Sequence, residues 1–459
     1  MTSARARDHA SAPNESSAHP GFFGLFRLSG GAPSGIYAPA MTKSQSFPAT
    51  FLLILIAFSS AQAAPGDWAQ WRGPNRDGLS AETGLLKAWP AGGPPLVWRA
   101  TGLGAGLSTV AVVGQRVFTM GEKGERSEVI ALNRADGKPL WRSELGKAGA
   151  PGWGGFAGPR CMPVVDGESL FAVGQYGQMA CLDVATGKVK WRKDYQPDFG
   201  APLPEWGFAG MPLVDGEQVV LTVGGDAGDL VALNKVTGAA LWRSKEFTDS
   251  IHYSSPMVME VGGVRQYVQL TETSVAGIAA ADGKLLWRAP RKGKVAVVPT
   301  PICYDGQVYV TSGYDVGCNL FRITSAGGGF SAEQVYANDV IVNHHGGVVK
   351  VGDYVYGHSD KLGWVCQEFR TGKAVWQENG KLCKGSLAYA DGHLYLRAGD
   401  KGEGTVALIE ATPTGYKEKS RFNPSDRSKK NSWPHPVVAG GKLYLRDQDV
   451  LLCFDVKAR

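Results

Sequence analysis

The sequence predicts an all-β chain folded as an eight-bladed β-propeller of four-stranded antiparallel blades, closed by strands from both termini. Three observations carry this expectation. The phrase Gly-Lys-x-x-Trp, or a close variant, ends five stretches: Gly137-Lys138 to Trp141, Gly187-Lys188 to Trp191, Gly238 to Trp242, Gly283-Lys284 to Trp287, and Gly372-Lys373 to Trp376. The first four tryptophans recur every ~45 to 50 residues, which suits a four-stranded blade and not a helical hairpin of ~34. Between these phrases lie Asp-Gly turns flanked by alternating apolar residues, the strongest short-range hairpin signal.

The first blade turns at Val113-Gly114-Gln115 and ends on Trp141. The second turns at Val165-Asp166-Gly167-Glu168 and ends on Trp191, the third at Val214-Asp215-Gly216-Glu217 and ends on Trp242, and the fourth at Val261-Gly262-Gly263 and ends on Trp287. The fifth turns at Tyr304-Asp305-Gly306-Gln307 and ends near Tyr336 without a tryptophan. The sixth turns at Val351-Gly352-Asp353 and ends on Trp376; the seventh turns at Ala390-Asp391-Gly392-His393 and ends near Lys419, again without one. The eighth turns at Ala439-Gly440-Gly441, but the chain runs out at Leu451-Leu452-Cys453-Phe454-Asp455 with an outer strand still owed. Pro95-Leu96-Val97-Trp98-Arg99, preceded by no hairpin of its own, is expected to supply that strand and leave no open sheet edge. Six residues before each repeat glycine stands a small residue, Ala131, Cys181, Ala232, Gly277 or Cys366, expected to let a neighbouring sheet approach. One residue before it comes Asp136, Thr186, Thr237, Asp282 or Thr371, a side chain able to close a turn on nearby backbone.

The repeat A-L-[ND]-x-x-[TD]-G-K-x-x-W-R resembles that of the pyrroloquinoline-quinone (PQQ) propeller superfamily, which includes quinoprotein alcohol dehydrogenases and an outer-membrane-assembly lipoprotein. The resemblance covers the chain from about Trp68 to Arg459. It implies that Trp98, Trp141, Trp191, Trp242, Trp287 and Trp376 are docking residues between blades. The opening Trp68-Ala69-Gln70-Trp71-Arg72-Gly73-Pro74-Asn75-Arg76-Asp77-Gly78 further resembles a subgroup of exported bacterial propellers of largely unassigned function.

Composition agrees with this class, since 62 glycines and 13 tryptophans in 459 residues suit a turn-dense, aromatic-stapled β architecture. The run Phe51 to Phe58 is too short to span a bilayer, and Ala61-Gln62-Ala63 behind it reads as a cleavage site. A signal peptide over 41–63 is therefore expected, cut near Ala63, with a natural start at Met41 and Lys43 as its positive region. Residues 1–40 are expected to be an over-extended start or a long n-region, 64–93 an N-terminal extension, and 94–459 the propeller. Periplasmic or secreted localisation follows, with no transmembrane segment. Export permits disulfides, and Cys161 with Cys181 or Cys303 with Cys318 are the candidate pairs. Cys181, Cys366 and Cys453 sit in the small-residue slot and read as buried single thiols. The net charge of +6 falls to +4 without the segment through Ala63, since Arg5, Arg7, Arg27 and Lys43 leave with Asp8 and Glu15; such a balance gives no footprint for nucleic acid.

In propellers the loops from one blade's outer strand to the next blade's innermost strand open near the axis, where one ligand can touch several blades. These crossover loops carry Trp153, Arg160, Trp206, His252, Tyr253, His344, His345, Lys384, Trp433 and His435, an aromatic, imidazole and cation mixture suited to a planar anion. Each has a structural reading beside the ligand one. The tryptophans can be core, and adjacent His344 and His345 on an extended segment point to opposite sides and so do not share a metal. Arg160 and Lys384 are expected to pair with a carboxylate of a neighbouring blade. No metal site is expected.

The superfamily's dehydrogenases use a calcium or lanthanide ion beside PQQ, a carboxylate base and usually a disulfide between adjacent cysteines. This chain has no adjacent cysteine pair and no Asp/Glu/Asn cluster in these loops. The expectation is therefore a non-catalytic binding or interaction scaffold, monomeric, without a cofactor, whose partner is a protein, a polysaccharide or a small molecule. The alternatives are a PQQ- and calcium-dependent dehydrogenase and an outer-membrane assembly factor.

Overall fold

The computed structural model describes residues 66–152, 156–400 and 404–459. The expected leader and the stretch before it lie outside the described residues, as does Trp153. Eight antiparallel four-stranded sheets follow one another as the blades of a propeller. Seven are contiguous, at 111–147, 164–194, 213–243, 257–290, 302–338, 348–378 and 385–422. Each expected hairpin turn joins the innermost strand of a blade to its second, as Val164–Asp166 joins Ser169–Val173. The eighth blade takes Val437–Ala439, Lys442–Asp447 and Val450–Asp455 from the C-terminus and Leu96–Ala100 from the N-terminal part, with Trp98 opposite Cys453. Strands from both ends of the chain thus close the ring.

The repeat phrase has a precise packing meaning. Across the third and fourth strands of a blade, Ala131 faces Trp141, Cys181 faces Trp191, Ala232 faces Trp242, Gly277 faces Trp287 and Cys366 faces Trp376. On the other side of several of these small residues stands an aromatic of the second strand: Phe118 opposite Ala131, Phe171 opposite Cys181, Tyr356 opposite Cys366 and Tyr444 opposite Cys453. The small residue therefore sits between two large rings of its own blade, whose centroids lie 5.9–6.1 Å apart. Its size makes room for those rings, which corrects the expectation that it serves the approach of a neighbouring sheet. Most of these indoles then reach the next blade, the exception being Trp287, whose Nε1 donates to Gln266 Oε1 of its own blade. Trp98 Nε1 donates to Arg134 O at 2.9 Å, Trp141 to Val184 O at 3.1 Å, Trp191 to Lys235 O at 3.1 Å and Trp376 to Thr412 O at 2.8 Å. Where the fifth blade lacks a tryptophan, the Tyr336 hydroxyl makes the same reach, to Phe369 O at 2.8 Å.

The repeat glycine belongs to this docking. A Cβ on Gly187 would lie 2.5 Å from Cε3 of Trp141 in the preceding blade, and one on Gly137 would lie 2.5 Å from Cε3 of Trp98. Only glycine lets the turn backbone lie against the indole face. The cysteines follow the same packing. Cys181, Cys366 and Cys453 are buried, and the suggested pairs Cys161 with Cys181 and Cys303 with Cys318 do not form, each being a free thiol.

The N-terminal extension is not a loose leader to the first blade. Trp68 pairs with Val112 of the first innermost strand, and Ala69 O accepts from Val165 N of the second at 2.8 Å. Arg76 donates to Pro212 O at 2.9 Å at the third blade, Arg72 to Val348 O at the sixth, and Leu79–Ser80 runs parallel to Tyr389–Ala390 on the innermost strand of the seventh. A segment that meets the innermost strands or inlets of five blades lies on the ring axis. From there 82–90 crosses beneath the seventh and eighth blades, with Leu85 N on Asp391 Oδ2 at 2.8 Å and Trp89 buried against Tyr395 and Phe422, before the chain becomes the closing strand.

Candidate functional site

Above the axial segment lies a cavity of about 320 Å³. Seven of the eight crossover loops reach it, through Thr109, Arg160, Trp206, Tyr253, Val298, His344 and Trp433, and Trp71 and Arg72 of the axial segment also line it. Trp71 is fixed by Nε1 donating to Thr300 Oγ1 at 2.9 Å, with its ring 4.7 Å from that of His435. On one wall the rings of Phe156, Trp433, His345, His344 and Tyr314 follow one another edge to face at centroid distances of 4.7–5.0 Å. On another, Trp206 stands edge-on to Tyr253 at 5.8 Å.

Asn343 shapes the loop that carries both imidazoles. Its side chain accepts from Gly347 N at 3.0 Å and donates to Gly347 O at 3.1 Å and His358 O at 2.9 Å. This closes 343–347 into a turn, so His344 and His345 both line the cavity with ring centroids 5.0 Å apart. The extended-segment argument that sent them to opposite sides fails, because the clamp replaces strand geometry. Lys384 Nζ lies 3.1 Å from His344 Nδ1, and Tyr314 Oη lies 2.8 Å from His344 Nε2. An ammonium can only donate, so Nδ1 accepts and Nε2 carries the proton given to Tyr314 Oη. The Tyr314 proton is thereby left for the cavity.

Burial governs the charges. Desolvation, helped by Lys384, holds His344 below the usual imidazole range, and His345 lies well below it. His435 is pushed down to about 3 by burial and then by the Arg72 charge. All three rings are neutral near pH 7. Arg72 and Arg160 are also lowered by burial, Arg72 to about 10, and both remain cations. Among the described lining residues there is no Asp, Glu or Lys, so the cavity wall itself is positive, with the Asp77 and Glu122 carboxylates acting on its two guanidiniums from behind.

The structure brings Arg160, Trp206, Tyr253, His344, His345, Trp433 and His435 to one cavity. Lys384 stands behind His344 and ion-pairs with Asp400 at 3.4 Å and Asp360 at 3.8 Å. His252 is not brought in: its Nδ1 accepts from Val297 N at 3.2 Å and its Nε2 lies 3.7 Å from Glu272, on the outer side of the loop. Among the described residues Arg160 makes no carboxylate pair; its guanidinium donates to Gly158 O at 2.5 Å and Phe156 O at 2.6 Å of its own loop. Glu122, the nearest candidate, is occupied in pinning that loop through Gly149 N at 2.7 Å and Gly158 N at 3.0 Å. Sequence reasoning missed Trp71, Arg72 and Tyr314. Tyr314 (φ 57°) and Arg72 (φ 62°) are held in the left-handed region, a costly backbone state for residues with side chains.

A PQQ-repeat family model described as outer membrane protein assembly factor BamB matches residues 82–150 and 125–378. A relative of that description from Xanthomonas campestris pv. campestris is 27% identical over 198 residues, 42% of this chain and 43% of its own length. The chain thus spans less than half the length of that curated relative. Among solved structures, BamB from Moraxella catarrhalis superimposes with a TM-score of 0.55 at 15% identity, covering 77% of this chain and 95% of that one. Quinohemoprotein alcohol dehydrogenase from Comamonas testosteroni does so with a TM-score of 0.59 at 11% identity, covering 87% of this chain and 82% of that one. At such identities the likeness is one of fold.

Proposed function

Because the chain belongs to the PQQ-repeat propeller family whose model is described as outer membrane protein assembly factor BamB, we propose that it is a non-catalytic, extracytoplasmic binding propeller whose ligand enters the axial cavity. The observation that carries this is the cavity itself, ringed by seven crossover loops, floored by Trp71 and Arg72 and lined by rings and guanidiniums. A floor made by the chain's own segment suits retention of a ligand rather than passage through the ring. The leader-like run at Phe51 to Phe58 supports an extracytoplasmic location.

The superfamily's quinone with calcium fits this cavity poorly. Calcium takes about six to eight oxygen ligands, with carboxylates prominent among them, whereas the described lining offers hydroxyls and backbone carbonyls and no carboxylate. Two guanidiniums at the same site add repulsion to a divalent cation. The family description favours one second reading, that the ligand is a side chain presented by a partner protein rather than a free molecule.

Native mass spectrometry of the purified full chain beside the Ala209→Phe variant, which narrows the cavity at one of its lining residues, tests the proposal. The expected result is a bound mass on the wild type that the variant lacks. Equal occupancy in both proteins, or dye-linked alcohol oxidation by the wild type on addition of PQQ and calcium, would overturn it.

A further inference from the structure

We propose, resting on the binding reading above, that the axial cavity takes a small aromatic carboxylate and that Arg72, supplied by the N-terminal segment and not by any blade, holds its charge. Arg72 is only 4% exposed. Its Nη2 donates to Asp77 O at 2.9 Å and to Val348 O. Its Nη1 is turned to Gly347 and His435 at the cavity floor, so near that a Cβ on Gly347 would lie 2.5 Å from it. The Asp77 carboxylate is close enough to feel the charge, but it accepts from Leu79 N at 2.9 Å and forms no ion pair with the guanidinium.

A buried guanidinium without a carboxylate is costly, and a ligand anion offsets that cost. Three features choose the anion. A carboxylate is planar with two oxygens, which matches a guanidinium edge. Its single charge suits a site whose imidazoles are neutral and whose second cation, Arg160, is already bonded to two loop carbonyls. The Tyr314 hydroxyl, accepting from His344, has its proton free for a further hydrogen bond. The remaining walls are ring edges and faces of Phe156, Trp206, Tyr253 and Trp433, which suit a flat apolar body. The cavity volume of about 320 Å³ is near the small end of ligand pockets, which limits that body to about two fused rings.

Calorimetric titration of the full chain with 1-naphthoate, 1-naphthamide and inorganic phosphate tests this. Naphthoate is expected to bind about tenfold to a hundredfold more tightly than naphthamide, with phosphate failing to displace it. Arg72→Met is expected to bring naphthoate down to the level of naphthamide, while Trp206→Ala weakens both by a similar factor. If Arg72→Met does not fold, the acid-to-amide ratio of the wild type decides. Equal affinity for acid and amide would sink the charge-recognition proposal and leave the binding reading standing. Failure of both naphthyl compounds to bind would sink both. Displacement by phosphate, or full discrimination in a folded Arg72→Met protein, would also overturn the proposal.

Discussion

Asp229 is a buried carboxyl away from the cavity. Its Oδ2 accepts from Asp249 N at 2.8 Å, and Oδ1 has no hydrogen-bond partner. Desolvation lifts its carboxyl from the ordinary 3.8 to about 8, against the pull of Arg288 and Arg243. A group raised in the folded state stabilises fully below its unfolded value, and that stabilisation is lost as pH rises through its folded value. The Asp229 contribution is therefore present below pH 3.8 and gone above about 8. Asp229→Asn is expected to raise stability at pH 8 by on the order of 1–3 kcal/mol and to remove the decline between pH 3.8 and about 8, as read by thermal unfolding across pH. The buried imidazoles act in the opposite direction over an overlapping window. His435 at about 3 and His358 at about 4 are depressed by burial, so the unfolded chain takes up protons first and stability falls as pH drops below 6.5. An Asn variant with the same decline between pH 3.8 and about 8 as the wild type would contradict this role of Asp229. Roles of this kind were only partly legible in the sequence. Arg160 and the paired histidines stood out by residue type and loop position, but Arg160's partners and the orientation of His344 and His345 depend on Glu122 and Asn343, whose bonds arise only after folding.

Hairpins were the most legible elements, because turn chemistry is local: the residues that bend the backbone are the residues one reads. All eight inner turns fall where Asp-Gly or its degenerate copies predicted them, and Trp98 identified the closing strand because it carries the docking residue. The axial segment was not legible. Its partners are Val112, Val165, Pro212, Val348 and Tyr389, each on a different blade, and no periodicity in 66–80 encodes contacts so dispersed. The docking role of the repeat glycine is separable from its turn role. Gly187 (φ 72°) meets Trp141 of the preceding blade, whereas Gly167 (φ 55°) has open space where a Cβ would go. Gly167→Ala is expected to cost ~1 kcal/mol for the backbone alone. Gly187→Ala is expected to cost ~2–4 kcal/mol, because overpacking against the indole is added. Equal costs in urea unfolding would show that the blades do not dock through this contact.

For the whole molecule, ring closure and the cavity are one construction. The chain lies on the axis at 66–80, passes beneath two blades and then becomes the outer strand of the eighth, so the segment that closes the ring also makes the cavity floor. This gives a repeat protein a site that no single repeat contains. It also explains why the family's repeat motif says little about ligand: the motif residues hold blade to blade, while Trp71, Arg72 and the crossover loops face the cavity. In the folded protein the axial segment is seated there. Residue-resolved hydrogen–deuterium exchange tests it directly through three amides that donate to the segment: Val112 N to Trp68 O at 3.0 Å, Val165 N to Ala69 O at 2.8 Å and Tyr389 N to Gly78 O at 3.0 Å. These three are expected to exchange as slowly as the amides paired within the second and third strands of their blades. Fast exchange at all three, with those strands still protected, would mean that the axis is open and the cavity has no floor.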